Sequence, residues 1–133
     1  MSIESGEEKN ERTDSIIYNK SYSFSIEIIK IYKSLSSDKK EFILSKQLLR
    51  CGTSIGANVN EAISSESKRD FVHKLNISLK EARETLYWLN LLKDSEYIKD
   101  ETFSFLQSKC KELIKILSSI IITTKTRYLT NKN

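Results

Sequence analysis

The chain has 133 residues, with 22 lysines and arginines against 18 aspartates and glutamates, and a net charge of +4. A chain of this length fits one domain that buries roughly two-thirds of its unfolded surface, so it needs no disulfide or metal for stability. The absence of proline and the presence of only three glycines exclude a sandwich or barrel with many turns and favour long helices.

The first residues are acidic and almost free of apolar side chains, which predicts a disordered acidic leader at residues 1–15. Removing the five acidic and two basic residues of positions 1–14 leaves 20 basic against 13 acidic residues, a net charge of +7. The leader lacks the basic start and apolar run of a signal peptide. The longest apolar stretch, 113–122, is too short for a bilayer, which takes about 20 residues. We therefore expect a cytoplasmic protein.

Four helices are predicted within one bundle at residues 16–129, followed by a frayed tail at 130–133. The first helix extends from about residue 18 to residue 35, with apolar side chains at steps of three and four. A capping pattern of Asp38 and Glu41 opens the second helix. Gly52 and Gly56 lie on nearly one face of that helix, which predicts either the close approach of a neighbouring backbone or a local kink.

The third helix begins at a second capping pattern, Ser67 to Asp70, and continues with apolar residues at helical spacing. A second apolar strip on this helix indicates burial on two sides and hence an oligomer or partner interface. The residues of that strip are Ile77, Trp88, Leu91 and Leu92.

The fourth helix opens near Asp100 and shows the spacing typical of a helix bundle. Its β-branched segment at 120–124 would also suit a strand. The predicted fold is an all-α, antiparallel up-down four-helix bundle. The predicted buried stripe of the fourth helix comprises Phe103, Leu106, Cys110, Leu113, Leu117, Ile120 and Thr124.

No arrangement typical of an enzyme is found. His73 is the only histidine, so it supports neither a nucleophile with its base nor a di-iron bundle site, which needs a Glu-x-x-His unit on each of two helices. Phosphate-binding glycine loops are absent. Cys51 and Cys110 lie in apolar patterns and are predicted to be buried, reduced thiols. We expect no catalytic residues, no cofactor and no metal.

Basic residues follow one side of the fourth helix. Lys111, Lys115 and Lys125 fall within about 40° of one direction, opposite the apolar stripe, and Lys109 and Arg127 lie toward one flank. Such a row can track a phosphate backbone by releasing condensed counterions. A solvated lysine face that serves solubility is the alternative.

A second basic row is predicted on the second helix, where Lys39, Lys46 and Arg50 align opposite its apolar stripe. Polar residues also occur within apolar surroundings on helices two and three. A network such as Arg50 with Glu84, or Asn58 with a facing backbone group, would fix the register of the helices; a ligand pocket is the alternative. The network residues are Gln47, Arg50, Asn58, Glu61 and Glu84.

The sequence resembles a known family along residues 18–117. The resemblance is carried by a Gln-Leu-x-Arg pattern at 47–50, a Ser-Ile-x-x-Asn pattern at 54–58 that is followed by Glu61, and the segment 80–89. The family is that of the four-helix bundles encoded in 23S rRNA intervening sequences, which includes the accessory variability protein of diversity-generating retroelements. The chain departs from the family at Ala62, where glycine is common, and at Lys80–Glu81, where Gly-Ser is frequent.

The resemblance implies a homopentameric barrel without enzymatic activity. For the retroelement branch it further implies binding to a reverse transcriptase and to RNA or DNA through basic surface. We therefore expect a non-enzymatic oligomeric scaffold, an accessory to a reverse transcriptase or another nucleic-acid-processing partner. The alternative is a protein-interaction module that docks a partner through apolar helix surfaces. The predicted nucleic-acid-binding residues are Lys39, Lys46, Lys111, Lys115, Lys125 and Arg127.

Overall fold

A computed structural model describes residues 6–129 of the chain, with side chains from residue 10 onward. Four helices follow one another: α1 (Gly6–Ser37), α2 (Leu44–Ile63), α3 (Lys68–Asp94) and α4 (Asp100–Thr124), and a π-helical turn (Lys125–Leu129) ends the described chain. The predicted tail at 130–133 and the first five leader residues lie outside this range.

The helices close into a ring, because α1 contacts α2, α2 contacts α3, α3 contacts α4, and α4 returns to α1. The connections span only 38–43, 64–67 and 95–99, so consecutive helices are antiparallel neighbours. The predicted all-α four-helix bundle is confirmed. Within residues 6–129, no helix combines the length and the apolar character that crossing a membrane requires.

The predicted apolar stripe of α4 is confirmed, since all seven of its residues are buried. The β-branched segment at 120–124 is helical rather than a strand. Ile120, Ile121 and Thr124 face the core at helical spacing, and the Thr124 hydroxyl donates to the Ile120 carbonyl oxygen at 2.7 Å. Burial of this face outweighs the strand preference of β-branched residues.

Helix α1 is longer than predicted. It begins at Gly6 rather than near residue 18, so residues 6–15, which were predicted to be disordered, are helical. Ile17 is buried in the core, and the Asn10 side-chain amide donates to the Tyr128 hydroxyl at 3.4 Å. The helix therefore continues alongside the end of the chain, a contact that local composition does not reveal. The boundary of the bundle at residue 16 stays a prediction.

The start of α2 also differs from the prediction, because Asp38 does not cap it. The Glu41 carboxylate accepts three backbone amides, those of Ile43 at 3.1 Å, Leu44 at 2.9 Å and Ser45 at 2.7 Å. Asp38 instead accepts from serine hydroxyls at the end of α1. Although burial of Glu41 opposes its charge, the backbone amides lower the pKa of this carboxyl.

The two glycines of α2 mark a close approach to α1, as one of the two interpretations predicted. A Cβ atom at Gly56 would lie 3.3 Å from the backbone carbonyl oxygen of Ser21. At Gly52 a Cβ atom would lie 2.8 Å from a side-chain carbon of Ile28, which is fully buried. The glycines thus allow α1 and α2 to pack more closely than alanines would.

Helix α3 begins as predicted, since the Ser67 hydroxyl accepts the Asp70 amide at 3.0 Å. Its second apolar strip is only partly accessible. Leu92 is fully buried in the core, so its predicted place on a partner surface is wrong: it points between the helices of its own bundle. Ile77, Trp88 and Leu91 are half-buried.

Candidate nucleic-acid interface

The predicted Arg50–Glu84 pair joins α2 to α3. The guanidinium of Arg50 contacts the carboxylates of Glu84 and Glu81, the latter at 3.3 Å, and donates to the Gln47 amide oxygen at 3.4 Å. The Trp88 indole N–H donates to Glu84 at 2.9 Å. This cluster links the two helices, and its role in fixing their register stays a prediction. It also neutralises Arg50, which therefore does not extend a basic row on α2.

The remaining residues of the predicted network make separate contacts. Glu61 pairs with Lys74 at 3.0 Å. Asn58 donates to the Ser54 carbonyl oxygen of its own helix at 2.9 Å rather than to a facing group. The buried bond that does cross between the helices runs from the Ser78 hydroxyl to the Ile55 carbonyl oxygen at 2.8 Å. The signal in the sequence was a serine within the apolar face of α3.

The predicted basic row of α4 is partly retained. Lys111 and Lys115 are exposed one turn apart. Lys125 and Arg127 lie in the π-helical turn after α4. The backbone of Lys125 is still helical, so its predicted direction stays a prediction, whereas the flank position predicted for Arg127 assumed a rotation of 100° per residue that no longer applies. Lys109 lies on the flank, its ammonium group 5.9 Å from the Phe105 ring centre.

The predicted row on α2 is wrong, because Lys39 is not in that helix. It lies in the connection 38–43, where Lys40 adopts a φ of 55° and redirects the chain before Glu41 caps α2. Lys46 is exposed on α2, and α2 makes no contact with α4 within the described chain. The basic residues of α2 and α4 therefore belong to different faces of the bundle.

Two cations of α3 complete a patch that the sequence interpretation missed. The Cys110 thiol donates to the Ala82 carbonyl oxygen at 3.2 Å, which sets the middle of α4 beside the middle of α3. Lys80 and Arg83 flank Ala82 and are exposed, at the level of Lys111. We call the group of Lys80, Arg83, Lys111 and Lys115 the α3/α4 basic patch.

The patch carries uncompensated charge. Among residues 10–129 none of its four members makes an ion pair. The acidic residues of the neighbouring α2–α3 boundary, Glu61, Glu81 and Glu84, are instead paired with Lys74 and Arg50. Positive potential is thus concentrated on the side of α3 that adjoins α4.

Burial raises the pKa of Cys51 to about 11 and the pKa of Cys110 to about 12, so both thiols are protonated near neutral pH. Both are unpaired and buried, as predicted. His73 is exposed on α3. No set of three or more metal-ligating side chains occurs among the residues described.

A cavity of about 350 Å³ lies at one end of the bundle, between α1, the connection 64–67 and the end of α4. Asp14, Ser67 and Lys68 contribute to its lining. Burial raises the pKa of Asp14, and the charge of Lys68 opposes this shift. The Lys68 ammonium group also lies 4.6 Å from the centre of the Tyr128 ring. These contacts tie the start of α1 to the end of the chain.

The fold and its surface define a small all-α protein: an antiparallel four-helix bundle with a basic outer face on α3 and α4. The chain belongs to the family of 23S rRNA-intervening sequence proteins, whose profile matches residues 13–119. The resemblance seen in the sequence is therefore confirmed.

A solved structure from Bacteroides thetaiotaomicron VPI-5482 is similar to this chain. It is described as a protein with unknown function from the S23 ribosomal protein family. The two are 48% identical with a TM-score of 0.82, over 83% of this chain and 98% of that one. None of the curated proteins matches the chain.

Proposed function

We propose that the protein is a non-enzymatic scaffold that binds nucleic acid through the α3/α4 basic patch. The observation that carries this proposal is the set of four exposed cations without ion pairs on one face of two adjoining helices. The contact of such a cation with a phosphate is favourable in free energy, because it releases counterions condensed on the nucleic acid. A lysine face that serves only solubility would not need to be concentrated on one side.

Of the predicted nucleic-acid-binding residues, Lys111 and Lys115 belong to the patch. Lys125 and Arg127 follow α4 and supply further positive charge beyond its end. Lys39 lies in the connection 38–43, beside the connection 95–99 and the start of α4. Lys46 lies on α2, which does not contact α4 in the described chain, so we expect Lys46→Gln to weaken binding less than Lys111→Gln. The absence of activity is part of the proposal and is supported by the buried, protonated thiols.

The proposal includes assembly into a homo-oligomer, a pentamer by family resemblance, in the cytoplasm. It also includes a role as an accessory protein to a reverse transcriptase or another nucleic-acid-processing partner. Exposed apolar side chains on α1, namely Ile16, Tyr18, Tyr22 and Ile26, support an interface with other chains. The same exposure favours the alternative function, a module that docks a protein partner without nucleic acid.

The test is a fluorescence titration of labelled DNA and RNA at several salt concentrations. We compare the wild type with Lys111→Gln/Lys115→Gln and with Lys30→Gln/Lys33→Gln, which removes the same charge from α1. The patch variant should lower the salt dependence of log K by about 0.9 for each lost phosphate contact on B-form DNA. The α1 variant should retain the wild-type slope.

Undetectable binding at low salt, or equal losses in the two variants, would overturn nucleic-acid binding by the patch. In the first case, recovery of a partner that depends on Tyr22 and not on Lys111 would establish the docking alternative. Light scattering at micromolar concentrations tests assembly separately, and a monomer throughout would contradict it.

A further inference from the structure

The outer side of α3 bears an uninterrupted stripe of exposed residues. Its members recur at alternating steps of four and three residues, the spacing that keeps side chains in line on a helix. The stripe covers 21 residue steps, or about 32 Å at a rise of about 1.5 Å per residue. Its seven members are Arg69, His73, Asn76, Lys80, Arg83, Tyr87 and Asn90, and the acidic Asp94, the last residue of α3, ends the series.

The packing of the bundle does not account for this stripe. All seven side chains are exposed, and Tyr87 retains 59% of its accessible surface. No ion pair within the described chain involves Arg69, Lys80 or Arg83. The contacts that do occur are local: Asn90 donates to the Leu86 carbonyl oxygen at 2.8 Å, and the Tyr87 and Trp88 rings form a T-shaped pair.

The two flanks of the stripe differ in charge. Toward α2 it is bordered by the three carboxylates of Glu61, Glu81 and Glu84, which are paired with only two cations, Lys74 and Arg50. Toward α4 it is bordered by Lys111 and Lys115. A polyanion that binds this surface is therefore expected to lie across α3 and α4 rather than across α2 and α3.

We propose that the stripe is a contact line for double-stranded nucleic acid. This inference rests on the proposed function and names the class of ligand. Proteins that bind single strands combine a basic groove with a series of aromatic stacking platforms, whereas this surface is the outside of two helices and its stripe holds one aromatic residue, Tyr87. A row of side chains on the outside of a helix suits a duplex.

The dimensions agree with a duplex. The length of the stripe, about 32 Å, is close to one turn of B-form DNA, about 34–36 Å. Packed helices lie about 8–10 Å apart, so a cationic row on α3 and another on α4 can each face one of the two phosphate strands that border a groove. Arg69, Lys80 and Arg83 would meet phosphates, while Asn76 and Tyr87 add hydrogen bonds that do not depend on counterion release.

The experiment uses the full chain and four probes of equal length: a 20-base-pair DNA, the corresponding RNA duplex, and a single strand of each. The wild type is compared with Lys80→Gln/Arg83→Gln, with Asn76→Ala/Tyr87→Ala, and with the α1 control Lys30→Gln/Lys33→Gln. All six substituted side chains are exposed, and thermal unfolding by circular dichroism establishes that each variant is folded.

We expect the duplexes to bind more tightly than the single strands. Lys80→Gln/Arg83→Gln should lower the affinity for duplex DNA by roughly 8-fold for each lost contact at 0.1 M salt and should lower the salt slope by about 0.9 for each. Asn76→Ala/Tyr87→Ala should lower the affinity and leave the slope unchanged. The ratio between the DNA and RNA duplexes then identifies the preferred helix form.

Three results would overturn the proposal, and they are distinguishable. Single strands that bind as tightly as duplexes, with binding otherwise intact, would refute the duplex assignment and leave nucleic-acid binding standing. Equal losses in the stripe variant and the α1 control would refute the role of α3. Failure of all four probes to bind at low salt would remove the proposed function as well.

Discussion

Ile28 of α1 fills the space where a side chain at Gly52 of α2 would begin. A Cβ atom at position 52 would lie 2.8 Å from Cγ1 and 2.9 Å from Cγ2 of Ile28, closer than carbon atoms pack. Because Ile28 is fully buried, it cannot swing into solvent to make room. The close packing of α1 against Gly52 therefore requires the absence of a side chain at that position.

The variant Gly52→Ala should destabilise the bundle. Overpacking costs about 1–3 kcal/mol, and the better helix propensity of alanine returns about 1 kcal/mol, so we expect a net loss of up to about 2 kcal/mol in urea unfolding. Gly56→Ala is the comparison variant: its Cβ would lie 3.3 Å from the backbone oxygen of Ser21, a tight contact but a longer one, so we expect a smaller loss. A Gly52→Ala protein as stable as Gly56→Ala would contradict the proposed clash.

The cap of α2 predicts a stability difference that depends on pH. Glu41→Gln should lower the free energy of unfolding by about 1 kcal/mol at pH 7, the usual value of an N-terminal cap. Since folding lowers the pKa of Glu41, its contribution is complete above the unfolded pKa near 4.5 and is lost as the pH falls through the folded value. Wild type and variant should thus converge in acid.

Asp38→Asn serves as the control for this cap, because Asp38 accepts only from serine hydroxyls at the end of α1. It should change the stability by less than about 0.5 kcal/mol, as surface substitutions usually do. A larger loss of stability from Asp38→Asn than from Glu41→Gln would instead support the capping of α2 by Asp38 that the sequence predicts. Urea titrations between pH 3 and pH 8 make the comparison.

The Arg50–Glu84 pair should contribute little to stability despite its central place. Both side chains are partly exposed, and exposed pairs are worth about 0.2–1 kcal/mol. A double-mutant cycle with Arg50→Ala and Glu84→Ala measures the coupling directly. Trp88 is the only tryptophan of the chain and donates to Glu84, so Glu84→Ala alone should shift its fluorescence. A coupling above about 3 kcal/mol would contradict the exposed geometry.

The two cysteines should resist alkylation in the folded protein. Burial raises the pKa of Cys51 to about 11 and the pKa of Cys110 to about 12, and the thiolate is the reactive form. Iodoacetamide at pH 8 should label neither residue within the time in which both react in urea. Mass spectrometry of the native and the unfolded chain measures the extent of alkylation at each cysteine. Rapid labelling of the native protein would refute the burial of the cysteines.

Much of the bundle was predictable because the apolar residues on the buried face of a helix recur every three or four positions. The buried stripe of α4 and the Ser67 cap of α3 both follow from such local patterns. The Glu41 cap did not, since it depends on the turn at Lys40. The first turns of α1 contact Tyr128, which is 118 positions away from Asn10, and the composition of the first residues does not reveal that contact.

The candidate site was harder to predict for the same reason. Lys111 and Lys115 stand out on one helix, but their partners Lys80 and Arg83 become neighbours only through the contact of Cys110 with Ala82. The residue pattern of one helix does not predict which of its turns lies beside which turn of a neighbouring helix. Arg50 shows the opposite case, because its pairing with Glu84 on another helix was predicted from the sequence and removes Arg50 from the predicted basic row of α2.

The hydrogen bond between Asn10 and Tyr128 shows that the first turns of α1 lie next to the π-helical turn that follows α4. A short flexible bridge across that junction would permit the polypeptide to be reopened at the connection 38–43, producing a circularly permuted chain with the same four helices in rotated order.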